Sequence, residues 1–86
     1  MVRVDIVLSK QADKFLKKQT SKTRNKIIEM IEKIPTNPEE LNIKPYQSGV
    51  ADYRLKYGKI RVLYDEKGNI IDIIRIGYRG DVYKKR

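Results

Sequence analysis

A period-two alternation of apolar and polar residues on both sides of Gly58 is the clearest pattern in the chain. Its apolar positions are Leu55, Tyr57, Ile60, Val62 and Tyr64. Alternation around a glycine predicts a β-hairpin that buries one face, here across residues 52–65. Arg54, Lys56 and Arg61 then fall together on the opposite face, with no carboxylate among them.

The amino-terminal segment predicts a strand followed by a helix. Apolar residues at every second position of residues 2–8 indicate a strand with one apolar face. Ser9 is a suitable N-cap, because its hydroxyl can accept a hydrogen bond from the first helical turn. The apolar stripe of the helix then contains Ala12, Phe15 and Leu16, and several lysines face outwards.

A run of isoleucines at helical spacing predicts a second helix. It starts at Thr20 or Ser21 and ends before Pro35, because the residue before a proline avoids the helical region. The stripe contains Ile27, Ile28, Ile31 and Ile34, with Met30 at its flank. The short link between the two helices predicts an antiparallel helical hairpin.

The remaining segments complete a sheet. Residues 35–40 read as a loop with one helical turn at Pro38. Leu41 and Ile43 return the chain to the core, and residues 44–47 form a short edge strand. Residues 70–76 are too continuously apolar for a half-exposed edge and predict a central strand that Gly77 ends. We therefore expect a single α+β domain over residues 1–86: a small, antiparallel-dominated, twisted sheet with an N-terminal strand and a two-helix hairpin packed on one face.

Composition narrows the classes of function. The 86 residues contain 20 Lys and Arg against 11 Asp and Glu, a net charge of +9, which favours a polyanionic partner, with nucleic acid first. The chain has no Cys and no His, so we expect no metal and no cofactor. The charged amino terminus and the lack of any apolar run near ~18 residues predict a cytoplasmic protein without a signal peptide or membrane contact.

The basic face of the hairpin admits two interpretations. Arg54, Lys56 and Arg61 are either ordinary solvated charges on an exposed strand face or a cradle for a phosphodiester. Like charges side by side on a hairpin repel one another at a cost in stability. Because no counterion lies among these three cations, we favour the phosphodiester cradle.

Three segments carry a resemblance to a known family. Tyr53–Lys56, Ile60–Tyr64 and Arg79–Tyr83 resemble, in their order and spacing, the RelE toxins of toxin–antitoxin systems. The first strand, ending at Leu8–Ser9, and the apolar positions that follow it are also similar to that family. The resemblance covers nearly the whole chain. It implies an mRNA endonuclease that cuts codons in the ribosomal A site and a cognate antitoxin that neutralises it.

The resemblance also suggests the site residues. Its paired basic positions match Arg54 and Lys56, the basic residue of the next strand matches Arg61, and the arginine after the last strand and the terminal tyrosine match Arg79 and Tyr83. The predicted catalytic set is thus Lys56, Arg61, Arg79 and Tyr83. Arg54, Tyr78 and Lys84 complete the prediction as RNA- or phosphate-binding residues. Many relatives have histidine at the position of Tyr78.

Roles for these side chains follow from RNA chemistry. RNA carries its own nucleophile, the 2′-hydroxyl beside the scissile phosphate. Arg61 and Arg79 would bind the phosphate oxygens and stabilise the charge of the transition state. Lys56 would act as the base or stabilise the attacking alkoxide, while Tyr83 would stack on a base, orient the 2′-hydroxyl or share the proton transfer. Arg54 is assigned to phosphate binding, since arginine scarcely deprotonates.

Two other functions remain open from the sequence. One is a ParE-like, gyrase-inhibiting toxin without nuclease activity, and the other is a non-catalytic basic RNA-binding module. The gyrase-inhibiting toxin is disfavoured because five residues of the cleavage site occur together: Arg54, Lys56, Arg61, Arg79 and Tyr83. Six lysines of the predicted helices are most simply a solvated face, or else a surface that docks ribosomal RNA: Lys10, Lys14, Lys17, Lys18, Lys22 and Lys26. The expected partners are the antitoxin, through an acidic or amphipathic segment, and the ribosome with A-site mRNA.

Overall fold

A computed structural model of the protein describes residues 4–46 and 49–81. The elements follow in the order β1 (Asp5–Leu8), α1 (Lys10–Lys17), α2 (Ser21–Lys33), a short 3-10 turn (Pro38–Glu40), β2 (Asn42–Pro45), β3 (Tyr53–Tyr57), β4 (Ile60–Lys67) and β5 (Ile70–Tyr78). The five strands form one sheet in the order β1-β5-β4-β3-β2. β1 runs parallel to β5, and every other pair is antiparallel. The predicted α+β class is confirmed.

Both helices begin where the sequence predicts. The Ser9 hydroxyl accepts a hydrogen bond from the Ala12 N–H at 3.1 Å, and the Thr20 hydroxyl accepts one from the Thr23 N–H at 3.2 Å. These side chains occupy backbone donors that a helix cannot satisfy internally. The helices therefore start at Lys10 and Ser21.

The helices cover one face of the sheet, and the core lies between them. Its most deeply buried members include Ala12 and Ile27 from the helices and Leu55, Val62, Ile73 and Ile76 from the sheet. The prediction for α2 was wrong at one position: Met30 is buried, whereas Ile28 is 37% exposed. The spacing of Ile27, Met30, Ile31 and Ile34 is i, i+3, i+4, i+7, which keeps one helical face on the sheet and turns Ile28 to its flank.

Several strand ends differ from the predicted bounds, and β4, for one, continues past residue 65 to Lys67. β2 starts at Asn42, earlier than predicted, and ends at Pro45, while Gln47 lies outside the described residues. β5 does not end at Gly77 but continues to Tyr78. Gly77 stays in the ladder because it pairs with Arg61 of β4, so the backbone bonds of the central strand outweigh the weak strand preference of glycine.

The outer face, away from the helices, is partly covered. Tyr46, Val50 and Ala51 lie over it in a small second cluster, in which Ala51 and Leu63 are buried against Tyr46, Val50 and Ile74. A β-bulge between Leu63 and Tyr64 shifts the register with β5 at this place. The outer face that the sequence predicts to be open is therefore open mainly around the β3–β4 hairpin.

Within the part of the chain that the structure describes, neither helix has the length and apolar character needed to cross a membrane.

Candidate functional site

Four cations surround an open depression of about 330 Å³ on the outer face of the sheet: Arg54, Lys56, Arg61 and Arg79. Two of them, Lys56 and Arg61, lie directly opposite each other across the β3–β4 ladder. Residues opposite each other in a ladder project to the same face, so their side chains emerge together. Among residues 4–46 and 49–81, no acidic side chain lines the depression, which we call the basic depression.

Arg61 is the most enclosed of the four. It is only 5% exposed, and its Nη1 donates to the Gly58 carbonyl at 2.6 Å and to the Ile60 carbonyl at 3.1 Å. Carbonyl oxygens satisfy the donors without cancelling the charge. The guanidinium is thus fixed in place and keeps its full positive charge toward the depression.

Arg54 has a donor without an acceptor. Its Nε is buried, and no hydrogen-bond partner for it exists among residues 4–46 and 49–81. A buried donor left unpaired costs about 1–3 kcal/mol. An anionic oxygen in the basic depression would remove that penalty, so this orphaned N–H fits a site for a phosphate group.

Arg79 reaches the depression from the far end of β5. Its backbone N–H donates to the Lys59 carbonyl at 2.8 Å, which ties the end of β5 to the turn of the β3–β4 hairpin. The following turn is closed by Gly80, at a φ of 94°, and by a 3.0 Å bond from the Asp81 N–H to the Tyr78 carbonyl. A residue distant from the hairpin in sequence is thereby placed beside it.

Tyr78 is not brought into this cluster. It pairs with Ile60, whose side chain belongs to the helix-facing core, so Tyr78 points to that side as well. Its ring meets Phe15 edge-on at 5.4 Å, and its hydroxyl donates to Gln19 Oε1 at 3.4 Å. The predicted RNA-binding tyrosine therefore lies on the opposite face from the basic depression.

Two further predicted residues, Tyr83 and Lys84, lie outside the described residues. Sequence reasoning missed Arg75, which pairs with Leu63 and so belongs to the same outer face as Arg61. The signal that was overlooked is the alternation of Arg75, Gly77 and Arg79, which is visible once β5 is extended past Gly77.

The remaining neighbourhood shapes the site without adding ligands for a metal. The Asp65 carboxylate accepts a hydrogen bond from the Asp52 N–H at 2.6 Å, and the Tyr46 N–H donates to the Asp52 carbonyl at 2.7 Å. These bonds hold Asp52 to β4 and Tyr46 to Asp52. Over the described ranges, no group of three or more Asp or Glu side chains is arranged to hold a metal ion.

Comparison with known proteins identifies similar chains. Residues 6–83 match the family model described as "ParE toxin of type II toxin-antitoxin system, parDE". No curated protein matches the chain significantly.

Solved structures show the same architecture. A chain of the archaeal RelE–RelB complex from Pyrococcus horikoshii is 24% identical with a TM-score of 0.72, covering 93% of this chain and 98% of that one. A chain of the RelB–RelE antitoxin–toxin complex from Methanococcus jannaschii is 24% identical with a TM-score of 0.72, and the match covers 91% of this chain and 95% of that one. A chain of the toxin–antitoxin complex RelBE2 from Mycobacterium tuberculosis is 18% identical with a TM-score of 0.72, and the match covers 91% of this chain and 100% of that one. Likeness at this identity establishes the fold alone.

Proposed function

The chain belongs to the ParE toxin family of type II toxin–antitoxin systems, within the RelE/ParE superfamily, and we propose that it is a ribosome-dependent mRNA endonuclease. The observation that carries this proposal is the basic depression, which four cations line and which no acidic side chain of the described residues lines. A binding site for a carboxylate-rich protein segment would use the same charges. The orphaned Arg54 Nε and the enclosed Arg61 guanidinium favour a compact anion such as a phosphodiester.

The proposed reaction is a transesterification within the RNA. The 2′-oxygen forms a bond to the adjacent phosphorus, the bond from phosphorus to the 5′-oxygen breaks, and the products are a 2′,3′-cyclic phosphate and a 5′-hydroxyl. The proton of the 2′-hydroxyl must be accepted, and the departing 5′-oxygen must receive one. The protein has to hold the phosphate and stabilise the extra charge of the pentacovalent transition state.

Each cation of the depression has a part in this scheme. Arg61, held by its own hairpin turn, and Arg79, held at the end of β5, bind the non-bridging oxygens. Arg54 donates its free Nε to the same or the neighbouring phosphate. Lys56 is exposed and lies directly across the ladder from Arg61, on the same face of the sheet. It acts as the base or stabilises the attacking 2′-oxyanion. Tyr83 keeps its proposed role in orienting the nucleotide on the strength of sequence alone.

The partners we propose follow from the same charges. The three similar structures are complexes with a RelB antitoxin, and for this chain we propose a cognate antitoxin that covers the basic depression with an acidic or amphipathic segment. Exposed lysines on the helices are proposed to dock ribosomal RNA. Two of them are partly neutralised, Lys17 by Asp13 at 3.0 Å and Lys26 by Glu29 at 3.8 Å. A ribosomal target implies action in the cytoplasm.

One observation favours a second candidate. The matching family model is that of the ParE toxin, which keeps the ParE-like, gyrase-inhibiting function considered from the sequence as a second candidate. In that case the basic depression would be a docking surface for the antitoxin. The two candidates differ in their target, so separate assays distinguish them.

Primer extension on mRNA with programmed ribosomes tests the proposal. Wild-type protein should produce discrete A-site cuts only when ribosomes are present, and Arg61→Ala should reduce the rate of cutting by about 100-fold. Lys67→Ala is the matched control, because it removes an exposed cation from the distant end of β4.

The other outcomes decide either against cleavage or against the proposed site. Intact mRNA together with inhibited gyrase supercoiling would replace the endonuclease by the ParE-like function. Intact mRNA that is nevertheless bound would reduce the protein to an RNA-binding module. Equal cutting by the Arg61→Ala and wild-type proteins would show that the site is elsewhere.

A further inference from the structure

The two tight turns that flank β4 are built alike. Gly58–Lys59 joins β3 to β4, and Gly68–Asn69 joins β4 to β5, each as a two-residue loop. The glycine φ is 55° in the first turn and 56° in the second. Apart from the glycine itself and its two chain neighbours, no atom of the described residues lies within 4 Å of the position where either side chain would begin. The turns are thus matched in conformation and in free space.

Both turns also hold a neighbouring segment. The Lys59 carbonyl accepts the backbone N–H of Arg79, and the Asn69 carbonyl accepts that of Asp5, each at 2.8 Å. The turns differ in one respect. The Gly58 carbonyl also accepts the Arg61 guanidinium, at 2.6 Å. Two consecutive carbonyls of the first turn therefore hold two of the three arginines that face the basic depression, Arg61 and Arg79.

Building on the proposed function, we infer that the Gly58–Lys59 turn is the positioning element of the cleavage site. It fixes the Arg61 guanidinium and the backbone of Arg79 relative to each other, so that both charges face one phosphate. Gly58 is a positioning residue in this scheme, since it touches no substrate. Preorganised charge stabilises a transition state only if the donors do not have to move during the reaction.

The conformation of Gly58 makes this arrangement possible. A positive φ at the first loop residue followed by a negative φ at the second is the sign pattern of a type II′ hairpin turn, which glycine adopts without strain. An L-residue is strained at this φ, so a side chain at position 58 makes the loop relax. Relaxation turns the peptide planes and takes the carbonyls of Gly58 and Lys59 away from their donors.

A matched pair of variants tests the inference. Gly58→Ala and Gly68→Ala introduce the same strain at the two turns and should lower the melting temperature by similar amounts. In single-turnover cleavage on programmed ribosomes, we expect Gly58→Ala to be at least 10-fold slower than wild type. Gly68→Ala should remain within about 2-fold of wild type. Equal activity losses in the two variants would overturn the inference.

A mutational cycle separates positioning from general destabilisation. A positioning residue acts through its partner, so the effect of Gly58→Ala should shrink to a few-fold or less in an Arg61→Ala background. If Gly58→Ala acted only through general destabilisation, it would slow cleavage by the same factor in the Arg61→Ala background as in wild type. Equal factors in the two backgrounds would also overturn the inference.

Hydrogen exchange and binding provide readouts that do not need cleavage. The Arg79 amide should exchange faster in Gly58→Ala and the Asp5 amide faster in Gly68→Ala. For a 2′-O-methyl RNA oligonucleotide, which lacks the nucleophile, we expect Gly58→Ala to weaken binding at least 3-fold and Gly68→Ala to leave it unchanged. If wild type fails to cut mRNA but this contrast holds, the endonuclease proposal fails and the positioning role stands. If both variants bind equally, the positioning role is wrong as well.

Discussion

Gln11 and Ile76 exchange two hydrogen bonds, as neighbouring strands do. The side-chain Nε2 of Gln11 donates to the Ile76 carbonyl at 2.7 Å, and its Oε1 accepts the Ile76 N–H at 2.8 Å. β1 pairs with β5 only as far as Leu8 opposite Ile73, so the edge of β5 would otherwise be unpaired at Ile76. A side chain of α1 thus continues the ladder and supports the part of β5 that leads to Arg79.

Replacing Gln11 should destabilise the protein through this edge. Gln11→Ala leaves a donor and an acceptor of Ile76 without partners, and each such loss typically costs about 1–3 kcal/mol. Gln11→Glu retains the acceptor but places a carboxylate against the Ile76 carbonyl, so it should not restore stability. Urea unfolding measures both variants. Gln19→Ala is the control, since its bonds are long, at 3.3 and 3.4 Å, and a loss as large as that of Gln11→Ala would contradict the prediction.

Shortening a side chain of the core should lower the free energy of unfolding more than shortening a side chain of the edge strand. Ile73 is fully buried in the main cluster, whereas Val7 is 48% exposed on β1. Ile73→Ala is expected to lower the free energy of unfolding by about 2–5 kcal/mol, because it removes buried methylene groups and leaves a cavity. Val7→Ala should change it by about 0.5 kcal/mol or less. Thermal or urea unfolding of the two variants tests the difference, and similar values would place the core elsewhere.

Arg61 should not be replaceable by lysine. Its Nη1 satisfies the carbonyls of Gly58 and Ile60 while its charge faces the basic depression. Arg61→Ala removes a transition-state donor and should reduce the single-turnover cleavage rate by about 100-fold. Arg61→Lys keeps the charge but not the planar fork, so it should recover only a small part of the rate. Full activity of Arg61→Lys would show that charge alone suffices.

RNA binding should depend on salt in proportion to the phosphate contacts. For single-stranded nucleic acid, each contact contributes about 0.7 to the slope of log affinity against log salt concentration. Arg54→Ala and Lys56→Ala should each reduce that slope by about this amount, as measured by fluorescence anisotropy between low and moderate salt. Lys67→Ala is the control outside the depression. An unchanged slope in the first two variants would remove them from the binding surface.

The burial of Tyr64 predicts that the folded protein loses stability at alkaline pH. Burial raises the pKa of its phenol, and the charges of Glu66 and Tyr53 raise it further. Because the unfolded phenol ionises near pH 10, the unfolded state binds fewer protons than the folded state above that pH. The contribution to stability is therefore complete below about pH 10 and is lost as the pH rises toward the folded pKa.

The test compares two tyrosine variants between pH 9 and 11.5. Tyr64→Phe keeps the ring that stacks on Tyr53 at 5.3 Å but removes the ionisable group, so its stability should fall less steeply than that of wild type. Tyr57→Phe, at a ring that is 37% exposed, should follow wild type. Lysine deprotonation affects all three proteins alike and cancels in the comparison. Parallel curves for Tyr64→Phe and wild type would exclude Tyr64 as the source.

Much of the fold was available from local pattern. Period-two alternation placed Arg54, Lys56 and Arg61 on one face of a hairpin around Gly58, and the structure confirms that placement. The N-caps Ser9 and Thr20 were readable because capping depends on residues within a single turn. The family resemblance is likewise confirmed by the family model. These features depend on neighbours in sequence, which is why the sequence alone determined them.

Other features depend on which segments meet. The parallel pairing of β1 with β5 joins residues about 65 apart in sequence, and no local pattern encodes that choice. The same is true of the bulge at Leu63, of Tyr46, Val50 and Ala51 covering part of the outer face, and of the Gln11–Ile76 bonds.

The site itself was decided partly at that tertiary level. Pairing with Arg61 keeps Gly77 in β5, and the strand's alternation then turns Tyr78 toward Phe15 and Arg79 toward the basic depression. Local sequence showed that Arg61 shares a face with Lys56. Only the long-range ladder decided that Arg79 joins them and that Tyr78 does not, because in a sheet the partner strand sets the register and the register sets the face.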